Sequence, residues 1–192
     1  IQTSGLPSGS VFPIGITTNV FEITDASGNT TVDSFTVKVF DYPVLSIDSI
    51  DVLCETGAAI TLSAQPTGGV FSGTGVTGNM FDPTAVSAGS NRITYNYTTT
   101  EGCVYSTDVY AQVNWNPDVY LGNFADTVCI ENGVVACPVG TPSGGVYSGA
   151  GVENVTLNTD SAGVGMHYVT YTYTDQYGCT GSDSSLANII QC

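Results

Sequence analysis

Three kinds of residue could do chemistry in this 192-residue chain: six cysteines, one histidine and 17 acidic side chains. Zinc would need paired ligands at short spacing, and no two of Cys54, Cys103, Cys129, Cys137, Cys179 and Cys192 have only two to four residues between them. Ser-His-Asp chemistry would have to use His167, which sits between Met166 and Tyr168 in a strand-like run with no partner suggested by spacing. Paired carboxylates for glycoside hydrolysis need a cleft, and the short loops offer none. Gly73-Thr74-Gly75 and Gly149-Ala150-Gly151 lack the lysine and the following helix of a phosphate cradle, so they read as turns or bulges. The sequence therefore reads as a non-enzyme without a cofactor. Asp48, Asp51 and Asp82, with Asp25 and Asp175, could hold calcium at module junctions through their carboxylates, or they could simply fill turns on an acidic surface. The cysteines are left as crosslinks.

The charge balance excludes several partners. Only Lys38 and Arg92 oppose the 17 acidic groups, for a formal net charge of −15, and two isolated cations cannot track a nucleic-acid backbone. An anionic membrane surface is disfavoured on the same ground, and no apolar run reaches the ~20 residues that span a bilayer. With 42% hydrophobic and 10% charged residues the chain has enough apolar material to fold. No leader-like stretch stands at Ile1, so the sequence reads as a mature product or an interior piece of a longer one.

The elements that carry these residues repeat. Gly68-Gly69-Val70-Phe71-Ser72-Gly73-Thr74-Gly75-Val76 returns as Gly144-Gly145-Val146-Tyr147-Ser148-Gly149-Ala150-Gly151-Val152, and Ile93-Thr94-Tyr95-Asn96-Tyr97-Thr98 returns as Val169-Thr170-Tyr171-Thr172-Tyr173-Thr174. Each strand-like run leads to a Gly-Cys pair, at Gly102-Cys103 and Gly178-Cys179. A weaker copy lies earlier, where Phe21-Glu22-Ile23-Thr24 precedes Gly28-Asn29. That first copy has no cysteine and is too short for a whole module. The alternation of Ile93, Tyr95 and Tyr97 with polar residues has period two, as does that of Phe35, Val37 and Val39, so these are strands with one buried face. Asp25-Ala26-Ser27-Gly28-Asn29 reads as a hairpin turn, with Thr100-Glu101-Gly102 and Gln176-Tyr177-Gly178 in the same place later. No helical stripe appears. The expectation is an all-β chain of tandem immunoglobulin-like sandwiches in a beaded rod: half a module over 1–42, then whole modules over 43–115 and 116–192. Trp115 at the second boundary is expected to pack between modules. Equivalent positions and nearly equal loop lengths predict intramodule bridges Cys54 to Cys103 and Cys129 to Cys179. Cys137 and Cys192 have no counterpart in the module before, and the simplest account joins them in a further bridge of the last module, the alternative being a partner for Cys192 beyond this sequence. Disulfides place the chain in an oxidising compartment outside the cell.

The segment from Ser8 to Val39, with its Thr24-Asp25-Ala26-Ser27-Gly28-Asn29 turn and Ser34-Phe35-Thr36-Val37 strand, resembles the C-terminal half of a hyalin-repeat (HYR) domain, departing from it at Asp33. The Gly-Gly-x-[Phe/Tyr]-Ser-Gly-x-Gly-Val, Thr-Tyr-x-Tyr-Thr and Gly-Cys signature of the later modules resembles the immunoglobulin-like repeats of giant Bacteroidetes surface adhesins of the SprB-like gliding-motility kind. The third module departs at Leu157-Asn158, where the second has Phe81-Asp82-Pro83, which suggests a different loop. The resemblance implies type IX export to the cell surface. It also implies O-glycosylation of the Asp-[Ser/Thr] motifs at Ser49, Thr127 and Ser161, a three-residue pattern that unmodified turns also satisfy. The implied role is a disulfide-stapled spacer in an adhesive filament, whose partners are other modules of the same long chain, further copies of itself, or surface and polysaccharide ligands. The rival is a carbohydrate-binding region of a secreted polysaccharide-degrading enzyme, with Tyr105, Tyr110, Tyr120 and Tyr147 as candidate stacking residues.

Overall fold

The computed structural model describes residues 1–125 and 127–192, in two compact units, Ile1–Val44 and Leu45–Cys192. The first unit is one antiparallel sheet of β1 (Gln2–Ser4), β2 (Gly15–Thr24) and β3 (Thr30–Val39), with β2 in the middle. The β2–β3 hairpin closes on Asp25, whose carboxylate accepts from the Ser27 and Asn29 amides. Those hydrogen bonds stabilise the ionised form, with the Asn29 side-chain amide first, and hold Asp25 below the usual carboxylate range. Phe21 and Phe35 stack at 5.9 Å between ring centres, yet Phe35 remains 52% exposed. The strand pattern is thus correct but its apolar face is uncovered, because no second sheet lies over it within this unit.

The second unit contains the repeat twice. Its first copy runs β4 (Ser46–Ile47), β5 (Leu53–Cys54), β6 (Ile60–Thr61), β7 (Ala64–Gln65), β8 (Val70–Ser72), β9 (Val76–Thr77), β10 (Met80–Phe81), β11 (Gly89–Thr98) and β12 (Val104–Asn114). Its second runs β13 (Tyr120–Leu121), β14 (Val128–Cys129), β15 (Val134–Ala136), β16 (Gly140–Thr141), β17 (Val146–Ser148), β18 (Val152–Glu153), β19 (Thr156–Asn158), a single-turn helix α1 (Thr159–Ala162), β20 (Gly165–Thr174) and β21 (Thr180–Ile190). A four-stranded sheet ordered β5-β12-β11-β8 faces β6-β10-β9 in the first copy, and β14-β21-β20-β17 with β15-β19-β18 reproduces it in the second. These are immunoglobulin-like sandwiches. Inward positions correspond pair by pair: Phe81 with Leu157, Ile93 with Val169, Tyr95 with Tyr171, Ala111 with Ala187, Val113 with Ile189, all buried. The expected loop difference is real. Asp82 caps a 3-10 turn over Pro83–Ala85, whereas Asn158 caps α1.

The recurrent Gly-Gly has a steric origin. In each copy a buried tyrosine of the central strand reaches the loop before the motif: the Tyr95 hydroxyl donates to the Pro66 carbonyl and accepts from the Gly69 amide, and Tyr171 does the same with Pro142 and Gly145. A Cβ on Gly69 or Gly145 would lie 2.4 Å from the ring Cζ of that tyrosine, so only glycine lets the backbone approach. Gly68 and Gly144, both at φ +98°, turn the chain into the clamp. Tyr171→Phe strips the partner from both loop groups and is expected to cost ~1 to 3 kcal/mol in urea unfolding. Gly145→Ala should cost more, and a Tyr171→Phe protein as stable as the parent would remove the clamp from the account.

Candidate functional site: the covalent junction between repeats

Strand length determines where the cysteines can reach. Cys54 lies beside Asn114 at the far end of β12, because β5 pairs in parallel with that end (Leu53 opposite Val113, Cys54 opposite Asn114). Cys103 immediately precedes Val104 at the other end. Eleven residues at ~3.3 Å each put roughly 35 Å between them, whereas a disulfide needs Cα atoms within about 7 Å. The same geometry separates Cys129, beside Ile190, from Cys179 at the start of β21. The expected intramodule bridges therefore do not form. Instead Cys54 bonds Cys179, 125 residues away with Cα atoms 5.4 Å apart, and Cys129 bonds Cys192 at a separation of 63. The first bridge joins the closing end of one repeat to the hairpin tip of the next. On the chain-entropy account each contributes ~4 to 5 kcal/mol.

Cys103 and Cys137 are free thiols, which also overturns the expected Cys137–Cys192 link. Cys137 occupies the core position that Leu62 holds in the first copy, packing with Leu157, Val169 and Ile189. Burial raises its thiol pKa, and it serves as a small apolar filler.

Around the Cys54–Cys179 bridge, the Asn116 amide donates to Glu55 Oε1 and its side chain to the Thr56 hydroxyl, at 3.0 and 2.8 Å. The Asp175 turn of the second copy completes a cleft with Gln112, Asn114 and Trp115. Asp175 Oδ1 accepts from the Tyr177 and Cys179 amides, which fixes the tip that presents Cys179. Trp115 lines this cleft but stays 67% exposed, so it borders the junction rather than filling it.

The other candidate residues disperse. Asp48 and Asp51 are exposed in the segment before β5, while Asp82 Oδ1 accepts from the amide and hydroxyl of Thr84, holding Asp82 below the usual carboxylate range. Ser49 and Thr127 are exposed in loops and Ser161 is exposed in α1; Asp126, which completes the motif at Thr127, lies outside the described residues. His167 Nε2 is 2.9 Å from the Gly163 carbonyl, a backbone contact rather than a serine. Tyr147 packs on Tyr171 at 4.7 Å in the core and Tyr105 is half-buried; Tyr110 and Tyr120 are exposed but belong to different repeats. The two basic groups are both engaged, Arg92 with Asp108 at 2.9 Å and Lys38 over the Phe40 ring. Among the described residues no helix is long and apolar enough to cross a membrane.

No protein-family model and no curated protein matches the chain. Among solved structures it is similar to a Ca2+-stabilized adhesin with which an Antarctic bacterium binds ice (TM-score 0.39, 13% identity, 92% of this chain and 57% of that one). It is also similar to the insect immune protein hemolin (TM-score 0.36, 14% identity, 91% of this chain and 56% of that one). The chain thus spans less than two thirds of the length of either.

Two measurements check the site. Peptic digestion without reduction should yield Cys54–Cys179 and Cys129–Cys192 peptides, with iodoacetamide labelling Cys103 in the folded protein and Cys137 only after unfolding; recovery of Cys54–Cys103 would refute the pole-to-pole arrangement. Asp108 accepts from Thr94, its largest influence, and from Arg92, and both hold its pKa down. A depressed folded pKa means that this contribution is full above the unfolded carboxylate value and disappears as pH falls through the lower folded one. Thr94→Val should therefore move the Asp108 carboxyl titration, followed by NMR, to higher pH.

Proposed function

We propose that this chain is an adhesive extracellular segment, in which disulfide-locked immunoglobulin-like repeats act as spacers of a larger cell-surface adhesin. The observation that carries this reading is the Cys54–Cys179 bridge, which ties the closing end of one repeat to the tip of the next. Such a bond resists extension at the one point where a tandem array would otherwise bend or part, and it persists only where thiols are oxidised. The acidic, cation-poor surface suits solubility and gives no footing for nucleic acid. Within the same proposal the parent is a gliding-motility type of adhesin exported by the type IX route, its first unit a hyalin-repeat half-module, with O-glycans on Ser49, Thr127 and Ser161. The exposure of these three hydroxyl residues is compatible with modification.

Antibodies raised against residues 45–192 should label intact cells of the source organism and detect, after external protease treatment, loss of a band far larger than 19.8 kDa. Protection from the protease, or a band at the size of this sequence alone, would defeat the spacer reading. In the purified segment, Cys54→Ser with Cys179→Ser should leave each repeat folded by circular dichroism while broadening the distance distribution between them in small-angle scattering.

A further inference from the structure

The cleft beside the Cys54–Cys179 bridge holds two aromatic rings that packing does not account for. Trp115 is 67% exposed and Tyr177 is 53% exposed, and both line a cleft of about 400 Å3 with Gln112, Asn114 and Asp175. The backbone holds both in this position. The Asn114 carbonyl accepts from the Glu55 amide and the Asn116 amide donates to Glu55 Oε1, so one glutamate secures the chain on both sides of Trp115. The Tyr177 amide donates to Asp175 Oδ1 at 2.8 Å. Hairpin register aligns the three copies: Val39, Val113 and Ile189 each pair with the glycine that opens the preceding strand, Gly15, Gly89 and Gly165. Two residues further on stand Asp41, Trp115 and Gln191, and at the third position of the turns stand Ser27, Glu101 and Tyr177. The framework needs no aromatic at either place, and the two aromatics come together where the closing end of one repeat meets the tip of the next.

We propose that this cleft binds a neutral glycan, with Trp115 and Tyr177 as platforms for pyranose rings and with Gln112, Asn114 and the second carboxylate oxygen of Asp175 as hydrogen-bonding partners of the sugar hydroxyls. The lining selects that class. A pyranose has a face of axial C–H groups and a rim of hydroxyls, which suits aromatic rings edged by amides and a carboxylate, and the cleft falls within the ~300 to 1,000 Å3 of small-molecule sites. Asn114 spends Oδ1 on the Gln112 side chain at 3.2 Å, which leaves its amide nitrogen as a donor. Asp175 spends Oδ1 on two backbone amides, which leaves Oδ2 as an acceptor. Charge excludes an acidic sugar, since among the described residues no cation lines the cleft, and Arg92 and Lys38 are engaged elsewhere. A quaternary ammonium needs ring faces that enclose it away from water, whereas these rings stand open to solvent and the amides beside them would gain no partner. The inference depends on the junction geometry and not on the spacer reading, so either can fail alone.

Trp115 is the only tryptophan in the sequence, so the intrinsic fluorescence of the whole disulfide-bonded 192-residue protein reads the cleft directly. Titration with cellohexaose, laminarihexaose, xylohexaose, mannohexaose, maltohexaose and N-acetylchitohexaose should give, for at least one of them, a saturable shift of the emission to the blue. Tyr177→Ala should weaken that binding roughly tenfold or more, Tyr177→Phe should retain it, and Trp115→Ala should abolish retardation by the parent polysaccharide in native affinity electrophoresis. Tyr168→Ala, at an exposed tyrosine of β20 that does not line the cleft, should leave binding unchanged. Circular dichroism and a non-reduced peptide map establish that each variant keeps its fold and its bridges. The absence of a saturable shift with every one of these oligosaccharides overturns the proposal. So does a shift given only by choline chloride or by polygalacturonate, which would assign the cleft to a cation or an acidic polymer, and so does an affinity that Tyr177→Ala leaves unchanged.

Discussion

A hairpin of ten- and eleven-residue strands puts its turn and its ends roughly 35 Å apart, and the placement of every crosslink in the second unit depends on that distance. The Gly-Cys pair belongs to the turn. The upstream cysteine belongs to a two-residue strand that pairs in parallel with the opposite end. A cysteine pair fixed at opposite poles of one sandwich cannot close on itself, so its bonds must leave the module or be capped at the same pole. Both solutions are present: Cys54 reaches the next repeat's tip, and Cys129 is capped by Cys192.

Between the poles, the tyrosine clamp ties each repeat together from inside. Tyr95 and Tyr171 are 2% exposed, spend their hydroxyls on two backbone groups of one loop, and meet Phe71 and Tyr147 in tilted ring contacts at 4.7 Å. The loop is held to the central strand at the level of the core rather than at the surface. Both repeats keep Gly-Gly for the same two reasons: the first glycine takes a positive φ, and the ring occupies the space a side chain on the second would need. Tyr147, which stands where Phe71 stands, has a hydroxyl that donates to the Pro138 carbonyl and accepts from the Gly140 amide.

The fold was legible because its signals are local. Period-two alternation located β3, β11 and β20, and the Asp, Gly and Asn residues of the turns located the hairpins. Core positions were legible through the repeat itself, since Tyr147 aligned with Phe71. The disulfide pairing was not, because equal loop lengths say nothing about which pole a residue occupies. That depends on the parallel pairing of Leu53-Cys54 with Val113-Asn114, a contact across some 60 residues with no local signature. Cys137 illustrates the same limit. Its chemistry invites a crosslink, while its position, equivalent to Leu62, makes it core. The open face of β2 and β3 was equally hidden, for alternation reports a face suited to burial and not the presence of the sheet that would bury it.

Charge explains why the junction is covalent. Repeats in tandem commonly hold their mutual angle by ion pairs and apolar contact, but this chain has two cations for 17 acids, and both are engaged locally, Arg92 with Asp108 and Lys38 with Phe40. Adjacent acidic modules repel over about a Debye length, ~8 Å at physiological salt. Neutral hydrogen bonds such as Asn116 to Thr56 give direction without opposing that repulsion to any extent. A disulfide does not weaken with salt or pH in the physiological range, and it leaves the surface free to remain acidic. The composition and the crosslink are in this sense matched: with two cations in the chain, ion pairs cannot hold the repeats together, and the covalent bond fixes them end to end.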